Sequence, residues 1–371
     1  MSDVKWSGGV EHWIEKGDVK LFMWEKKASP DVPHAGTIFF VHGSSMASQP
    51  TFDLHVPGRR HSSAMDWFCA HGFDTWTMDN EGYGRSDKRR DINFDISNGA
   101  DDRAAGSVYA LAKSGARSLL MYGISSGALK AALFTERHPE RVAKLALDAF
   151  VWTGDGSPTL DQREKKQPEF LAMNRRPIDR AFVHSIFQRD HPGTADYNTV
   201  EAFADAILTL DDSMPTGTYV DMCSRLPLLN PKNLPVPTLI LRGEHDGIAS
   251  MEDLIAFFKL LPNMNKQFSV MAGVSHASFQ QKNYMMVYQI LHSFLTMPEP
   301  AYLGWLHENI GKSVAVRTVA GGVAVDRLGA DLPGQTCEAD RSVHAGRFPR
   351  RRGTHPRTTA FDCDGAAVHH R

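Results

Sequence analysis

The chain has 371 residues, of which 42% are hydrophobic and 23% charged, with a formal net charge of −2. This is ordinary globular composition, with room for one large domain carrying an insertion or for two domains. The near-neutral charge gives no electrostatic case for nucleic acid or for an anionic membrane as partner. Cys69, Cys223, Cys337 and Cys363 have wide, irregular spacing, which offers neither a disulfide framework nor a zinc pattern, so no metal site is expected, and the reaction read from the motifs below implies no organic cofactor.

The opening "MSDVKWSGGVEHWIEKGD" lacks a cationic region followed by an apolar core. No stretch reaches the ~18 uninterrupted apolar residues of a membrane helix. A soluble, cytoplasmic chain with reduced thiols is expected. "VEHWIEKGDVKLFMWEKK" (10–27) alternates apolar and polar residues about Gly17-Asp18, which predicts a hairpin of two half-buried strands. "GTIFFVHG" (36–43) is a continuous apolar run ending in glycine, as expected of a strand buried on both faces. "FDTWTMD" (73–79), "RSLLMYG" (117–123), "VAKLALDAF" (142–150), "PTLILRG" (237–243) and "KQFSVMAG" (266–273) repeat that theme. Helical patterns over 63–71, 101–114, 126–138 and 251–260 lie between several of these runs. Buried strands alternating with amphipathic helices predict an α/β fold with a mostly parallel sheet.

Residues 152–234 break the rhythm. They open on the turn-rich "TGDGSPT", carry predicted helices over 178–188 and 200–209, and return through "LPLLNPKNLPVP". This segment reads as an insertion between two halves of one core, 1–151 and 235–297, and such insertions commonly cover a site at the carboxyl edge of the sheet. The last segment, 298–371, is rich in Arg, His, Gly, Pro and Ala. Its ten basic residues nearly balance its eight acidic ones, which weakens the case for a nucleic-acid tail. A poorly ordered, non-catalytic extension is expected there.

Gly123-Ile124-Ser125-Ser126-Gly127 fits G-x-S-x-G, with a buried strand before it and a helix after it. Such a turn strains its central residue, and glycines two before and two after relieve the crowding. Only the register centred on Ser125 has both glycines; centring on Ser126 would put Ile124 and Ala128 there. Ser125 is therefore the predicted nucleophile. A serine hydroxyl needs a base, and the base needs an orienting carboxylate. "TLILRGEHDGIA" offers Asp246, three residues past Gly243 and before the turn residue Gly247, with Glu244 as competitor. "QFSVMAGVSHASF" offers His276 after the last strand, whereas His245 is awkwardly adjacent to the acid. An oxyanion hole needs two backbone N–H groups. One is expected from Ser126 and the other from Ser44 or Ser45, in the turn after "TIFFVHG".

These motifs, with "TMDNEGYGRSD" (77–87), resemble the α/β-hydrolase superfamily over roughly residues 10–295. The resemblance implies an eight-stranded, mostly parallel sheet flanked by helices, with 152–234 as a helical cap over the pocket. A serine nucleophile argues against the dehalogenase and epoxide-hydrolase branches, which use aspartate. The implied reaction is acyl transfer to water from a small-molecule ester of a fairly apolar acid. Trp152, Phe170, Met173, Phe182 and Phe187 are the candidate wall residues in the cap. Lactone or amide hydrolysis, C–C cleavage of a diketone and acyl transfer to an alcohol are alternatives. A non-catalytic binding protein on the same fold is the rival from another class. His55, Arg59, Arg60 and His61 form a basic loop, read as solvated, or else as binding a carboxylate or lining the entrance.

Overall fold

The computed structural model describes residues 8–301, all within one compact unit, Met1–Lys312. The expected extension over 298–371 lies almost wholly outside the described residues. Ten strands form in chain order: β1 (Val10–Lys16), β2 (Val19–Lys26), β3 (Gly36–Val41), β4 (Phe73–Met78), β5 (Leu119–Ile124), β6 (Val142–Asp148), β7 (Arg175–Pro177), β8 (Ser213–Pro215), β9 (Thr238–Gly243) and β10 (Lys266–Met271). Eight of them build one sheet in the order β1-β2-β4-β3-β5-β6-β9-β10. The β1–β2 hairpin turns at Gly17 and pairs antiparallel, β2 also pairs antiparallel with β4, and every later neighbour is parallel.

Successive side chains of the central strands enter different cores, which is why their sequences are continuously apolar. Phe39 and Val41 of β3 join one apolar cluster with Trp76, Met121, Leu145 and Ile240. Ile38 and Phe40 join the opposite cluster with Leu120, Tyr122, Leu239 and Leu241. The helices Ile96–Ser114, Ser126–Arg137 and Met251–Leu260 cover the first face. Ala64–Ala70 and Tyr284–Thr296 cover the second. The strand over 266–271 differs from its expected burial: only Met271 of β10 is buried, because the strand forms the sheet edge.

The helix expected over 101–114 begins earlier, at Ile96. Asp95 accepts from the Asn98 N–H while the Asn98 side chain accepts from the Asp95 N–H, and this reciprocal cap fixes the start. Residues 152–234 enter after β6 and return before β9 as an insertion within the same compact unit as the core. They contain Arg180–Gln188 and Tyr197–Leu210, close to expectation, plus three short helices, Pro158–Glu164, Gln167–Leu171 and Gly217–Ser224. The antiparallel pair β7–β8 ties the insertion together. Its apolar interior, around Val183, Phe187, Phe203 and Ile207, continues into Met46, Tyr83 and Phe94 of the core loops. No helix among the described residues is long and apolar enough to cross a membrane.

Candidate active site

Ser125 sits between β5 and the helix Ser126–Arg137 with φ 59° and ψ −130°, a conformation L-residues avoid. Both flanking glycines are sterically required. A Cβ on Gly123 would lie 2.4 Å from the Gly127 carbonyl oxygen, and one on Gly127 would lie 2.2 Å from that of Val41. The Ser125 N–H donates to the Asp148 carbonyl at 2.9 Å, anchoring the turn to the end of β6.

His276, in the loop after β10, places Nε2 2.9 Å from Ser125 Oγ and Nδ1 2.9 Å from Asp246 Oδ1. Asp246 is buried, and its Oδ1 also accepts from the Ile248 N–H at 3.0 Å. Glu244, the competing acid, is turned away: its Oε2 accepts from the Gly273 N–H at 2.8 Å and its side chain is half exposed. His245 stacks on His191 at 4.0 Å between ring centroids and takes no part in the Ser125 contacts. Two further carboxyls stand close, Asp190, which lies within 4.8 Å of the Asp246–His276 pair, and Asp148. Burial pushes Asp148 up to about 7 despite hydrogen bonds from Tyr122 and Ser278, and the charge of Asp246 adds to the rise.

The turn after β3 passes over the nucleophile, since a Cβ on Gly43 would lie 3.3 Å from Ser125 Cβ. His42 braces that turn, its Nε2 accepting from the Asn80 N–H at 3.0 Å. Burial, with Lys130 and Arg103 nearby, holds His42 well below the usual histidine range, so the imidazole is neutral. Ser44 Oγ donates to Ser126 Oγ at 2.6 Å, joining the two turns, and Ser45 Oγ meets the Tyr219 hydroxyl at 2.7 Å. Among the described residues, the backbone N–H groups of Ser44, Ser45 and Ser126 have no acceptor.

A small pocket of about 10 Å³ holds Ser44, Ser45, Ser125 and His276 on one side and Arg163, Ile186, Arg189 and Tyr219 of the insertion on the other. A cavity of about 490 Å³ opens beyond it and shares Arg163, Arg189 and Tyr219 with it. Phe170, Met173 and Phe182 line this larger space. Trp152 and Phe187 do not: Trp152 packs on Phe257, and Phe187 packs on Phe203 inside the insertion. Helical spacing alone does not separate a helix's interior face from its pocket face. In the basic loop His55, Arg60 and His61 are exposed, as the solvated reading expects, and Arg59 departs from it. Arg59 is neither solvated nor at the entrance; it donates to the carbonyls of Phe279, Gln280 and Gln281 and to Thr199, and stacks on Tyr284. His55 approaches Asp53 and Asp66.

Among the described residues, two groups of side chains have metal-like spacing: Asp53, His55 and Asp66, and Asp190, Asp246 and His276. In the first, Lys26 already pairs with both aspartates. In the second, Asp246 and His276 bond each other and Asp190 pairs with Arg189. Neither arrangement argues for an ion.

The sequence profile of the family described as "Serine aminopeptidase, S33" matches residues 33–283. The chain belongs to the S33 family of α/β-hydrolases. A search of curated protein sequences gives no match. Among solved structures, this S33 hydrolase resembles a soluble variant of monoglyceride lipase from Saccharomyces cerevisiae with TM-score 0.60 and 15% identity, over 79% of this chain and 96% of that one. It resembles a thermophilic esterase from Thermogutta terrifontis with TM-score 0.54 and 18% identity, over 78% and 98%. E-2-(acetamidomethylene)succinate hydrolase gives TM-score 0.57 and 17% identity, over 78% and 100%. These likenesses show the fold. They leave bond and substrate to the S33 hydrolase's own pocket.

Arg163, Arg176, Arg189 and Tyr219 were not anticipated by the sequence analysis. They come from four separate elements of the insertion, and an arginine in such a segment ordinarily reads as a solvated surface residue.

Proposed function

We propose that the protein hydrolyses a carboxylic ester through an acyl-enzyme on Ser125. The carrying observation is the unbroken hydrogen-bonded chain Ser125–His276–Asp246, with the nucleophile on a strained turn. In this reading Ser125 Oγ attacks the ester carbonyl while His276 Nε2 takes the hydroxyl proton. Asp246 holds the proton on Nδ1 and stabilises the imidazolium. The tetrahedral oxyanion is met by the N–H groups of Ser126 and of Ser44 or Ser45. His276 gives its proton to the departing alkoxide and the acyl-enzyme remains. Water then attacks, passes a proton to His276, and the released acid leaves Ser125 protonated again. Lactones and amides fit the same sequence of steps.

A fluorophosphonate probe tests this reading. Stoichiometric labelling that disappears in Ser125→Ala is the expected result. A folded protein that takes up no label would instead be a ligand-binding member of the fold. A panel of esters, lactones, amides and diketones, with Ser125→Ala as control, then assigns the bond.

A further inference from the structure

Two arginines of the insertion lack a counter-ion: Arg163 at the pocket of Ser125, and Arg176 in the cavity beyond it. Arg163, at the end of the helix Pro158–Glu164, lines both the small pocket at Ser125 and the larger cavity. Its Nη1 is out of solvent and has no hydrogen-bond partner. Arg176, on β7, is 9% exposed; its Nη2 reaches Ser45 Oγ at 3.3 Å while its buried Nε has no partner. Among the described residues, no carboxylate lies within ion-pair distance of either guanidinium. Both rest on the ring of Tyr219, at 4.6 and 4.4 Å from its centroid, and Arg176 is also 4.3 Å from that of Phe182.

Other buried or half-buried arginines also leave one Nε without a partner, Arg59, Arg103 and Arg242 among them, but their remaining nitrogens engage carbonyl, amide or carboxylate oxygens, whereas among the described residues the Arg163 guanidinium engages none. Arg59 bonds three carbonyls, Arg103 bonds Asn80, and Arg189 in the same cavity pairs with Asp190. Burying cationic donors with nothing to accept from them is costly unless a ligand completes the site. The wider cavity has the same sign: Arg163, Lys166, Arg176 and Arg189 line it against the single acid Glu169. Tyr219 reports that field. Burial raises its hydroxyl, yet Arg176, Arg163, the bond to Ser45 and Arg189 together bring it down to about 8.

Resting on the ester-hydrolase reading, we propose that the substrate carries a carboxylate that docks against Arg163 and Arg176 while its ester carbonyl sits at Ser125. The pocket at Ser125, about 10 Å³, has room for little more than one water-sized group, whereas the cavity beyond, about 490 Å³, accommodates the charged remainder. The apolar walls Phe170 and Phe182 suit the carbon chain between the two groups. This replaces the fairly apolar acid expected from the aromatic residues of the insertion. The sequence displays those aromatics, but only the fold brings the arginines together.

The test compares p-nitrophenyl hemiglutarate with p-nitrophenyl valerate, which matches its chain length without the charge. A third ester carries its carboxylate in the alcohol and locates the anion on the acyl or the leaving side. The wild-type protein is expected to favour a charged ester in kcat/KM by about 10-fold or more, as charge-assisted hydrogen bonds allow. Arg163→Gln and Arg176→Gln should each erase most of that ratio, mainly through KM. Free glutarate should slow fluorophosphonate labelling of the wild type and raise its Tm, whereas pentane-1,5-diol, of the same chain length with neither charge nor a cleavable bond, should do neither. The Tm arm needs no variant, so it stands even if a substitution impairs folding. Equal rates for charged and neutral esters, or no response to glutarate, overturn the proposal. A fall in both esters by the same factor in the arginine variants also overturns it, since that marks a structural role. Continued labelling of Ser125 in any of these cases leaves the hydrolase reading intact.

Discussion

At the scale of single residues, the adjacent serines 125 and 126 are separated by sterics. Gly123 and Gly127 lie where a Cβ would meet backbone oxygens at 2.4 and 2.2 Å, and only Ser125 is centred between them. Asp246 and Glu244 are separated by direction: one faces His276 and the other caps the Gly273 N–H. Asp246→Asn should therefore lower kcat by about 10⁴-fold, as loss of the correct histidine tautomer does in serine hydrolases. Glu244→Gln should change it by no more than a few-fold; steady-state kinetics on one ester checks both. Tyr219 gives the pH dependence. It is faced by Arg163, Arg176 and Arg189 from three other elements and bonded to Ser45. Below about 8 its phenol is neutral and the guanidiniums are free for an anion. Above that pH the phenolate becomes their internal counter-ion, so kcat/KM for a carboxylate-bearing ester should fall through pH 8 relative to a neutral ester. The same relative fall in Tyr219→Phe would assign it to another group.

Among the elements, the loop carrying His276 is the one that most needs fixing under the proposed mechanism, because a displacement of about 1 Å from Ser125 can cost about 10²-fold in rate. Arg59 performs part of that fixing from the loop before Ala64–Ala70, holding three consecutive carbonyls, Phe279, Gln280 and Gln281. Arg59→Met keeps the stem and removes the donors. It should cost about 2 kcal/mol of stability, the scale of lost charge-assisted hydrogen bonds, and should lower kcat more than it raises KM. Chemical denaturation and kinetics measure the two effects. The basic loop "VPGRRHS" showed its charge in the sequence, but the carbonyls that engage Arg59 lie more than two hundred residues away and carry no sequence signal of their own. The short helices Pro158–Glu164, Gln167–Leu171 and Gly217–Ser224 escaped for a related reason: eight residues or fewer leave too little periodicity to read.

At the scale of the whole molecule, the described residues fall within one compact unit ending at Lys312. Lys144 ties the end of the last helix to the sheet by donating to the carbonyls of Phe294, Leu295 and Met297. A chain stopped after Lys312 should keep ester hydrolysis within about two-fold of the full chain, whereas a stop at Thr296 removes the Met297 carbonyl and should lower Tm. Loss of activity in the chain stopped after Lys312 would show that residues 313–371 contribute to the site. The sequence by itself determined the sheet, the register that centres Ser125 between two glycines and the chain order Ser125, Asp246, His276, because these depend on local pattern: apolar runs, paired glycines and turn residues at strand ends. Only the tertiary structure decided which acid meets His276, which aromatic residues face the cavity, and that Arg163 and Arg176 meet on the ring of Tyr219 at the pocket of Ser125. Those outcomes depend on direction and distance between segments far apart in the chain, and on the cost of burying charge, which appears only once the chain has folded around it.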